Sequence, residues 1–593
     1  MMLAKAVDSL KPLTRYVPVL DWGRAYQRAW LRDDLVSGVV VGAVMVPVAM
    51  AYAQMAGVPP QAGLYSAIVG MALYAFLATS RHLKISTSST MSIMSIAVVA
   101  PLAGGDATKF MALTSALAIT VGIIMVMLGL AKLGFISDFL AKSVMTGYIF
   151  GVALIIAMSQ LPKVFGVPAG EGSVFQQFAQ LIANLPQTNP YALALGAGTV
   201  ALILIIKRYK PIIPGALVAL ILGTLIAGVF NLNALYGVAV VGEIPTGMPS
   251  PQIPRIDPQD LIYLIGGAAG IVFLAVGETL GTARTFAAKY HYEVNPDQEL
   301  LAMGAANIGS GLFQGITIDM SLSNTASAEA AGERTQLSSL VSSLTILAVV
   351  LFLAPLLHNL PSAVLGGIVL SSILGLFNFK EFKRYYAQRR TDFILACTAL
   401  IGVAASDVMT GLILAVLLSL VMLLYRASRP YIAILGKRTS GEFGDHERHA
   451  DAVPVPGLVI LRLDAPLYFF NANVARTQIL AQITGAVPPK AILLDLGATA
   501  DLDIGTSDML SDLSADLQTS GVDLLMAEVR SSVRDRMQRT GLLESVGEDH
   551  LYASIAAAVE AFLRLSARAE ASRMSAETVL APPNSEPTGA AQV

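Results

Sequence analysis

Between residues 35 and 426 one apolar run follows another, and hardly any of them carries a charge. A bilayer's hydrocarbon core, ~30 Å thick, is crossed by about 20 apolar residues in a helix. Lipid offers the backbone no hydrogen bonds, so a crossing chain must satisfy its own, as a helix does. Suitable runs fall near 35–57, 63–79, 89–102, 110–131, 144–162, 190–206, 211–230, 260–283, 299–313, 321–331, 336–357, 361–377, 391–405 and 409–425. These are fourteen segments, of which the third and tenth are short, polar and rich in Ser and Thr. Composition agrees. Hydrophobic residues make up 55% and charged residues 13%, against about 25% charged in a soluble domain. A soluble fold of this size would need polar surface that this chain lacks. The charges gather before residue 35 and after residue 426. That split separates an arm at 1–34, a membrane domain at 35–426 and a soluble C-terminal part.

The loops test this count, because Lys and Arg concentrate on the cytoplasmic side. With the N-terminus inside, the cytoplasmic loops hold Arg81 and Lys84, then Lys132 and Lys142, then Lys207, Arg208 and Lys210. Next come Arg284 and Lys289, Arg334, and finally Lys380, Lys383, Arg384, Arg389 and Arg390. The opposite loops hold only Lys109, Lys163 and Arg255. A miscounted span would scramble this alternation. The expected location is the plasma membrane (the inner membrane of a bacterium), multi-pass, with the N-terminus and the C-terminal domain both cytoplasmic. The first 34 residues are polar and do not read as a cleavable signal. A net charge of −2 argues against a nucleic-acid partner. The single cysteine, Cys397, excludes an intrachain disulfide framework or cysteine zinc site. His446 and His449 sit in a polar stretch, and neither a metal nor a cofactor is expected.

After residue 426 the hydrophobic period changes. Residues 427–452 read as a linker. Residues 458–463, 491–496 and 523–529 read as short buried strands. Helical stretches lie between them, and Met509, Leu513 and Leu517 recur on one helix face. Strands alternating with helices predict a small α/β domain at 453–566. Residues 567–593, ending in a Pro- and Ser-rich run, read as a disordered tail.

Spacing suggests two halves of seven segments. Segment 3 opens with Ile85-Ser86-Thr87-Ser88-Ser89-Thr90, and segment 10 with Ile318-Asp319-Met320-Ser321-Leu322-Ser323-Asn324-Thr325. Both follow a short β-like stretch and begin a short helix. Seven spans separate them, so they enter the membrane from opposite sides, the pattern of an inverted repeat. A helix that starts near the midplane leaves its first N–H groups unpaired and carries roughly +0.5 charge at that end. Two such ends facing each other form an anion site made of backbone, with Ser and Thr hydroxyls around it. The plainer explanation is that small hydroxyl residues let helices pack closely in lipid.

At segment 1 the chain shows further motifs. Val46–Tyr65 reads VPVAMAYAQMAGVPPQAGLY, and Thr79-Ser80-Arg81-His82 precedes segment 3. Glu278, the run Asn295-Pro296-Asp297-Gln298-Glu299-Leu300, and Gly304-Ala305-Ala306-Asn307-Ile308 follow. Then come Ser321-Leu322-Ser323 and Ala331-Gly332-Glu333-Arg334-Thr335-Gln336. Together they resemble the SulP (sulfate permease) anion-transporter family, over about residues 30–565, and the soluble domain is similar to its STAS domain. The resemblance implies an all-α integral membrane domain of fourteen transmembrane segments as a 7+7 inverted repeat, divided into core and gate domains, plus a small cytoplasmic α/β STAS domain. It also implies elevator-like transport by a homodimer. Val48 stands where many members have Gln, Tyr52 where they have Phe, Asn324 where they have Arg, and Ser86-Thr87 where they have Gly-Pro. The fixed positive charge of some relatives is therefore absent, and anion binding would rest on helix ends and hydroxyls.

The expected substrate site comprises Tyr52, Ser88, Ser89, Thr90, Ser321, Leu322, Ser323 and Asn324. Glu278 lies in an otherwise uncharged span, and an acid at mid-bilayer costs ~2.5–3.5 kcal/mol on insertion scales. It is the candidate for coupling to H⁺, or to Na⁺ held jointly with Thr282 at i+4. Asp319 reads as a helix cap, and Pro47 as a break in segment 1. In the soluble domain Thr506 and Ser507 read as a helix start rather than a phosphorylation switch. No Walker-type nucleotide motif occurs, and no enzyme is expected. The function expected is secondary active transport of sulfate, bicarbonate or a dicarboxylate, by H⁺- or Na⁺-coupled symport. Uncoupled exchange, a channel, or a nucleobase-type carrier of the same 7+7 fold are the alternatives.

Overall fold

A computed structural model describes residues 17–134, 142–170, 172–210, 213–405, 408–484 and 488–580. The chain divides into two compact units, Met1–Leu420 and Val421–Val593.

The first unit is helical. Its helices, the last of which runs on into the second unit, open with a first set: α1 (Leu31–Met55), α2 (Pro60–Leu77), α3 (Ser89–Ala103), α4 (Ala107–Leu130), α5 (Lys142–Phe165), α6 (Pro190–Tyr209) and α7 (Gly215–Val229). The second set is α8 (Pro258–Tyr290), α9 (Pro296–Leu312), α10 (Leu322–Ala330), α11 (Leu337–Ala348), α12 (Ser362–Ile373), α13 (Arg390–Ala405) and α14 (Val408–Ala427). Among the described residues, eight helices are long and apolar enough to cross a membrane. α3 and α7 are apolar but shorter, and α10 has nine residues. Ile205, Leu225, Val229, Leu344, Phe352 and Ile401 are exposed on the outer faces of their helices, as lipid-facing side chains must be. Segment 11 stays α-helical only to Ala348 and then passes through a π turn and a 3₁₀ turn. Pro355, in that 3₁₀ turn, has no N–H to continue the ladder. Pro47, by contrast, sits inside an unbroken α1, which corrects the expected break. Neighbouring helices bury this stretch on all sides.

Helix pairing repeats with a shift of seven. α4 packs on α9, and its counterpart α11 on α2; α1 packs on α11, and α8 on α4. α5 packs on α13, and α12 on α6. This places α1–α4 and α8–α11 in one body and α5–α7, α12 and α13 in another. The α4–α9 contact is close because Gly122 and Gly304 face each other; a Cβ on Gly304 would stand 2.6 Å from the Gly122 carbonyl oxygen.

The second unit is a six-stranded sheet. Its strands are β3 (Ile432–Lys437), β4 (Phe443–Asp445), β5 (Leu458–Leu463), β6 (Ala491–Asp495), β7 (Asp523–Ala527) and β8 (Leu551–Tyr552). Their order is β4-β3-β5-β6-β7-β8, parallel from β5 to β8 and antiparallel at β3 and β4. The residues read as a linker, 427–452, thus contribute two strands, because Ile432 to Leu435 are apolar enough to pair with β5. Helices α15 (Phe469–Leu480) and α16 (Ile504–Thr519) cover one face and α18 (Ile555–Leu580) the other, with α17 (Ser531–Thr540) beside α16. Met509, Leu513 and Leu517 are buried together, as their spacing requires. Asp503 caps α16 through the Thr506 N–H at 2.8 Å, and Thr506 and Ser507 are both buried. α18 runs to Leu580, past the start of the expected disordered tail at 567. Residues 567–580 are rich in Ala, Arg, Glu and Met, all good helix formers. Residues 581–593 lie outside the described residues.

Candidate functional site

Two short strands build the site. β1 (Ile85–Ser86) and β2 (Asp319–Met320) pair antiparallel, with Ile85 opposite Met320 and Ser86 opposite Asp319. Each strand leads directly into a short helix whose first turn is capped by a serine. Ser88 Oγ accepts from Met91 N at 3.2 Å, and Ser321 Oγ accepts from Asn324 N at 3.4 Å. The starts of α3 and α10 are thereby held beside each other within one body, the arrangement expected from the two Ser/Thr-rich segments. Asp319 is not the cap of α10; Ser321 is. A residue inside a paired strand is one turn too early to reach the free N–H groups.

The hydroxyl and amide groups here are buried but short of partners. Ser86 Oγ, Thr87 Oγ1, Ser95 Oγ and Asn324 Nδ2 have none among the described residues. Buried polar groups are almost always satisfied, so these four, three at the helix starts and Ser95 in the second turn of α3, have bonding capacity left for a polar guest. Ser89, Thr90 and Ser321 are buried, whereas Leu322 and Ser323 are exposed on the outward side of α10. Tyr52 is buried on α1, with its hydroxyl near Ser89 on α3 and Ser372 on α12. The ring thus bridges the two helical bodies.

The acids lie alongside. Asp319 Oδ1 accepts from Thr279 Oγ1 at 2.6 Å and from Met320 N at 2.6 Å. Its Oδ2 receives no hydroxyl or amide donor. Glu278, the residue before Thr279, brings its carboxyl within hydrogen-bonding reach of Asp319. Tyr148 on α5, whose hydroxyl faces Met94 Sδ at 3.4 Å, is close to Glu278. The threonine that reaches a carboxylate is therefore Thr279 rather than Thr282. Residue 279 projects toward β2, and Thr282, half-buried, lies nearly a turn further along α8. Thr279, Ser372 and Tyr148 were not singled out in the sequence. Only the position of Thr279 next to Glu278 could have flagged it.

The motifs around the site lock it in place. Lys84 Nζ pairs with Glu333 Oε2 at 2.6 Å, both side chains fully buried. It also donates to Ser338 and Ser339, at 2.5 and 2.8 Å. Gln336 Nε2 donates to the carbonyls of Ser80 and Leu83, both at 2.9 Å. The backbone of Lys84 bonds Thr325 Oγ1 and Ser321 N, so the chain before α3 is stitched across the start of α10. Glu299 accepts from Tyr74, Thr79 and Ser80, and Asp34 from Arg334 and Thr335. His82 stacks on Tyr290 with centroids 4.2 Å apart. Burial, then the neighbouring charge of Lys84, push its pKa down to about 4.

A profile of the sulfate permease family matches residues 31–399, and one of the STAS domain matches residues 449–558. The "Probable sulfate transporter" of Mycobacterium tuberculosis (strain CDC 1551 / Oshkosh) is 37% identical over 546 residues, which cover 91% of this chain and 97% of that one. The murine Solute Carrier 26 family member A9 anion transporter, in its inward-facing state, superposes with a TM-score of 0.85 at 24% identity, covering 92% of this chain and 93% of its own. The transmembrane domain of the cyanobacterium bicarbonate transporter BicA matches with a TM-score of 0.58 at 25% identity, covering 67% of this chain and 98% of its own.

Proposed function

We propose that this chain, which belongs to the sulfate permease family, is a secondary active transporter of small anions coupled to H⁺ or Na⁺. The family is one of membrane transporters and not of enzymes, and the 7+7 helical fold with its STAS domain is the family's. The observation that carries the reading is the paired start of α3 and α10, bordered by buried hydroxyls without partners and by the Glu278–Asp319 pair. Helix starts attract an anion through their dipoles and free N–H groups. Two adjoining carboxyls repel each other unless a proton or cation sits between them. An anion and a cation taken up together leave little net charge to carry through lipid.

Sulfate and bicarbonate are the first cargoes, because relatives carry those names, and dicarboxylates share their charge. The body holding the site (α1–α4, α8–α11) moves against the body of α5–α7, α12 and α13 as an elevator, in a homodimer whose N-terminus and STAS domain are cytoplasmic. The reading is tested in liposomes with labelled sulfate, bicarbonate and fumarate, each under an inward H⁺ gradient, an inward Na⁺ gradient or neither. Accumulation of one anion under one gradient supports it. Movement that no gradient drives replaces the symporter with an exchanger or channel. Uptake of none of them, with uptake of a nucleobase, overturns the anion reading.

A further inference from the structure

A second polar feature lies away from the paired helix starts. A cleft of about 510 Å³ opens where the α1–α2 turn, the end of α5, the start of α6 and the start of α12 come together. Lys163, in the last turn of α5, lines it and is part-buried. Among the described residues its ammonium group meets no carboxylate or hydrogen-bond acceptor. Lys109, on the same sparsely charged face, has Asp260 at 2.9 Å. A lysine withdrawn from water without an acidic partner is costly, and such a charge is retained where it meets something negative. The other walls suit the same guest. Pro60 and Ser362 are the first residues of α2 and α12, and Asn189 caps α6. Three helix starts thus add positive dipole ends around the one full positive charge.

We infer that this cleft is an outer anion-capture site, with Lys163 as its charge, where the transported anion docks before it reaches the central site or after it leaves. The inference rests on the proposed anion transport. It places the cleft on the outer face, because α5 ends there when the N-terminus is cytoplasmic. The cleft lies between the two helical bodies, so their relative movement would reshape it.

Electrostatics gives the test a signature. A fixed charge enriches an anion by a factor that depends exponentially on the anion's charge. If Lys163→Gln raises the outer KM roughly 5-fold for monovalent bicarbonate, it raises it by about the square, roughly 25-fold, for divalent sulfate. Initial rates of labelled sulfate and bicarbonate transport would be measured in intact cells and in inverted membrane vesicles, for wild type, Lys163→Gln and Lys163→Arg. The expected result is a KM increase from the outer face alone, larger for sulfate. The maximal rate is unchanged, Lys163→Arg restores the KM, and added impermeant salt shrinks the difference. An unchanged outer KM in an active Lys163→Gln protein overturns the inference and leaves the transport reading standing. An equal loss in Lys163→Gln and Lys163→Arg, or a shift from both faces, assigns Lys163 to packing and overturns it too. A wild type that moves neither anion removes the transport reading itself.

Discussion

Breaking the buried Lys84–Glu333 pair should destabilise the protein far more than removing both partners. The two side chains are 2.6 Å apart and fully buried, so neither charge has water to fall back on. Loss of one partner from such a pair costs about 3–5 kcal/mol, whereas replacing both by apolar groups is near neutral or better. Lys84→Met and Glu333→Leu should therefore each cost about 3–5 kcal/mol, and the double variant no more than about 1–2 kcal/mol, since Ser338 and Ser339 lose an acceptor or donor in the exchange. The coupling energy, the difference between the summed single effects and the double, should be on the order of 5 kcal/mol. The Lys84→Met variant adds a pH signature. Burial holds the Glu333 carboxyl above its ordinary range, so without Lys84 it escapes its penalty by taking up a proton. Its folded pKa is raised, so the penalty shrinks as pH falls. Lys84→Met should be closer to wild type at pH 5.5 than at pH 8. Thermal unfolding of the purified protein in detergent measures all four forms. Additive effects, with the double variant as unstable as the sum, would refute the reasoning, because they would mean that the two charges do not depend on each other.

Three further outcomes follow from the geometry. Thr279→Val leaves Asp319 Oδ1 without its hydroxyl donor at 2.6 Å and should cut the transport rate about 10-fold or more, while Thr282→Val should change it less than about 2-fold; initial-rate uptake separates them. Burial holds the His82 pKa down to about 4 when folded against 6.5 when free, so between those values the unfolded state binds the extra proton and stability drops as pH falls, by on the order of 2 kcal/mol. His82→Phe should flatten that slope in a pH series of melting curves. Gly304→Ala puts a methyl 2.6 Å from the Gly122 carbonyl and should cost about 1–3 kcal/mol, read as a lowered melting temperature.

Much of the architecture was legible because it is written locally. An apolar run long enough to span lipid declares itself residue by residue, and so do the Ser/Thr-rich starts of α3 and α10. What those starts face was legible only through their placement seven segments apart. The pairs that lock the site were not. Lys84 and Glu333, Tyr74 and Glu299, and Asp34 and Thr335 are separated by more than two hundred residues, and nothing local to Lys84 distinguishes it from a loop lysine marking the cytoplasmic face. Thr279 and Thr282 could not be ranked for a similar reason: which of them meets an acid depends on where β2 lies, not on helix spacing alone. In the soluble unit, β4 was missed because it has only three residues, and β3, though as long as β5, because it lies in a stretch dense in charge that reads as a linker. The extension of α18 was missed because an Ala-rich stretch near a Pro-rich end reads as low complexity.

In the proposed cycle the Glu278–Asp319 pair carries the coupling ion beside an anion held at the starts of α3 and α10. This coupling is tested most directly by recording ion movement alongside anion uptake in liposomes, with an internal pH dye and with labelled Na⁺, for wild type, Glu278→Gln and Asp319→Asn. Wild type should move H⁺ or Na⁺ in fixed proportion to the anion. Glu278→Gln should abolish that ion flux while the protein still binds and exchanges the anion. An unchanged ion-to-anion ratio in Glu278→Gln would contradict that coupling, and the carboxyl pair would then be a packing element of α8.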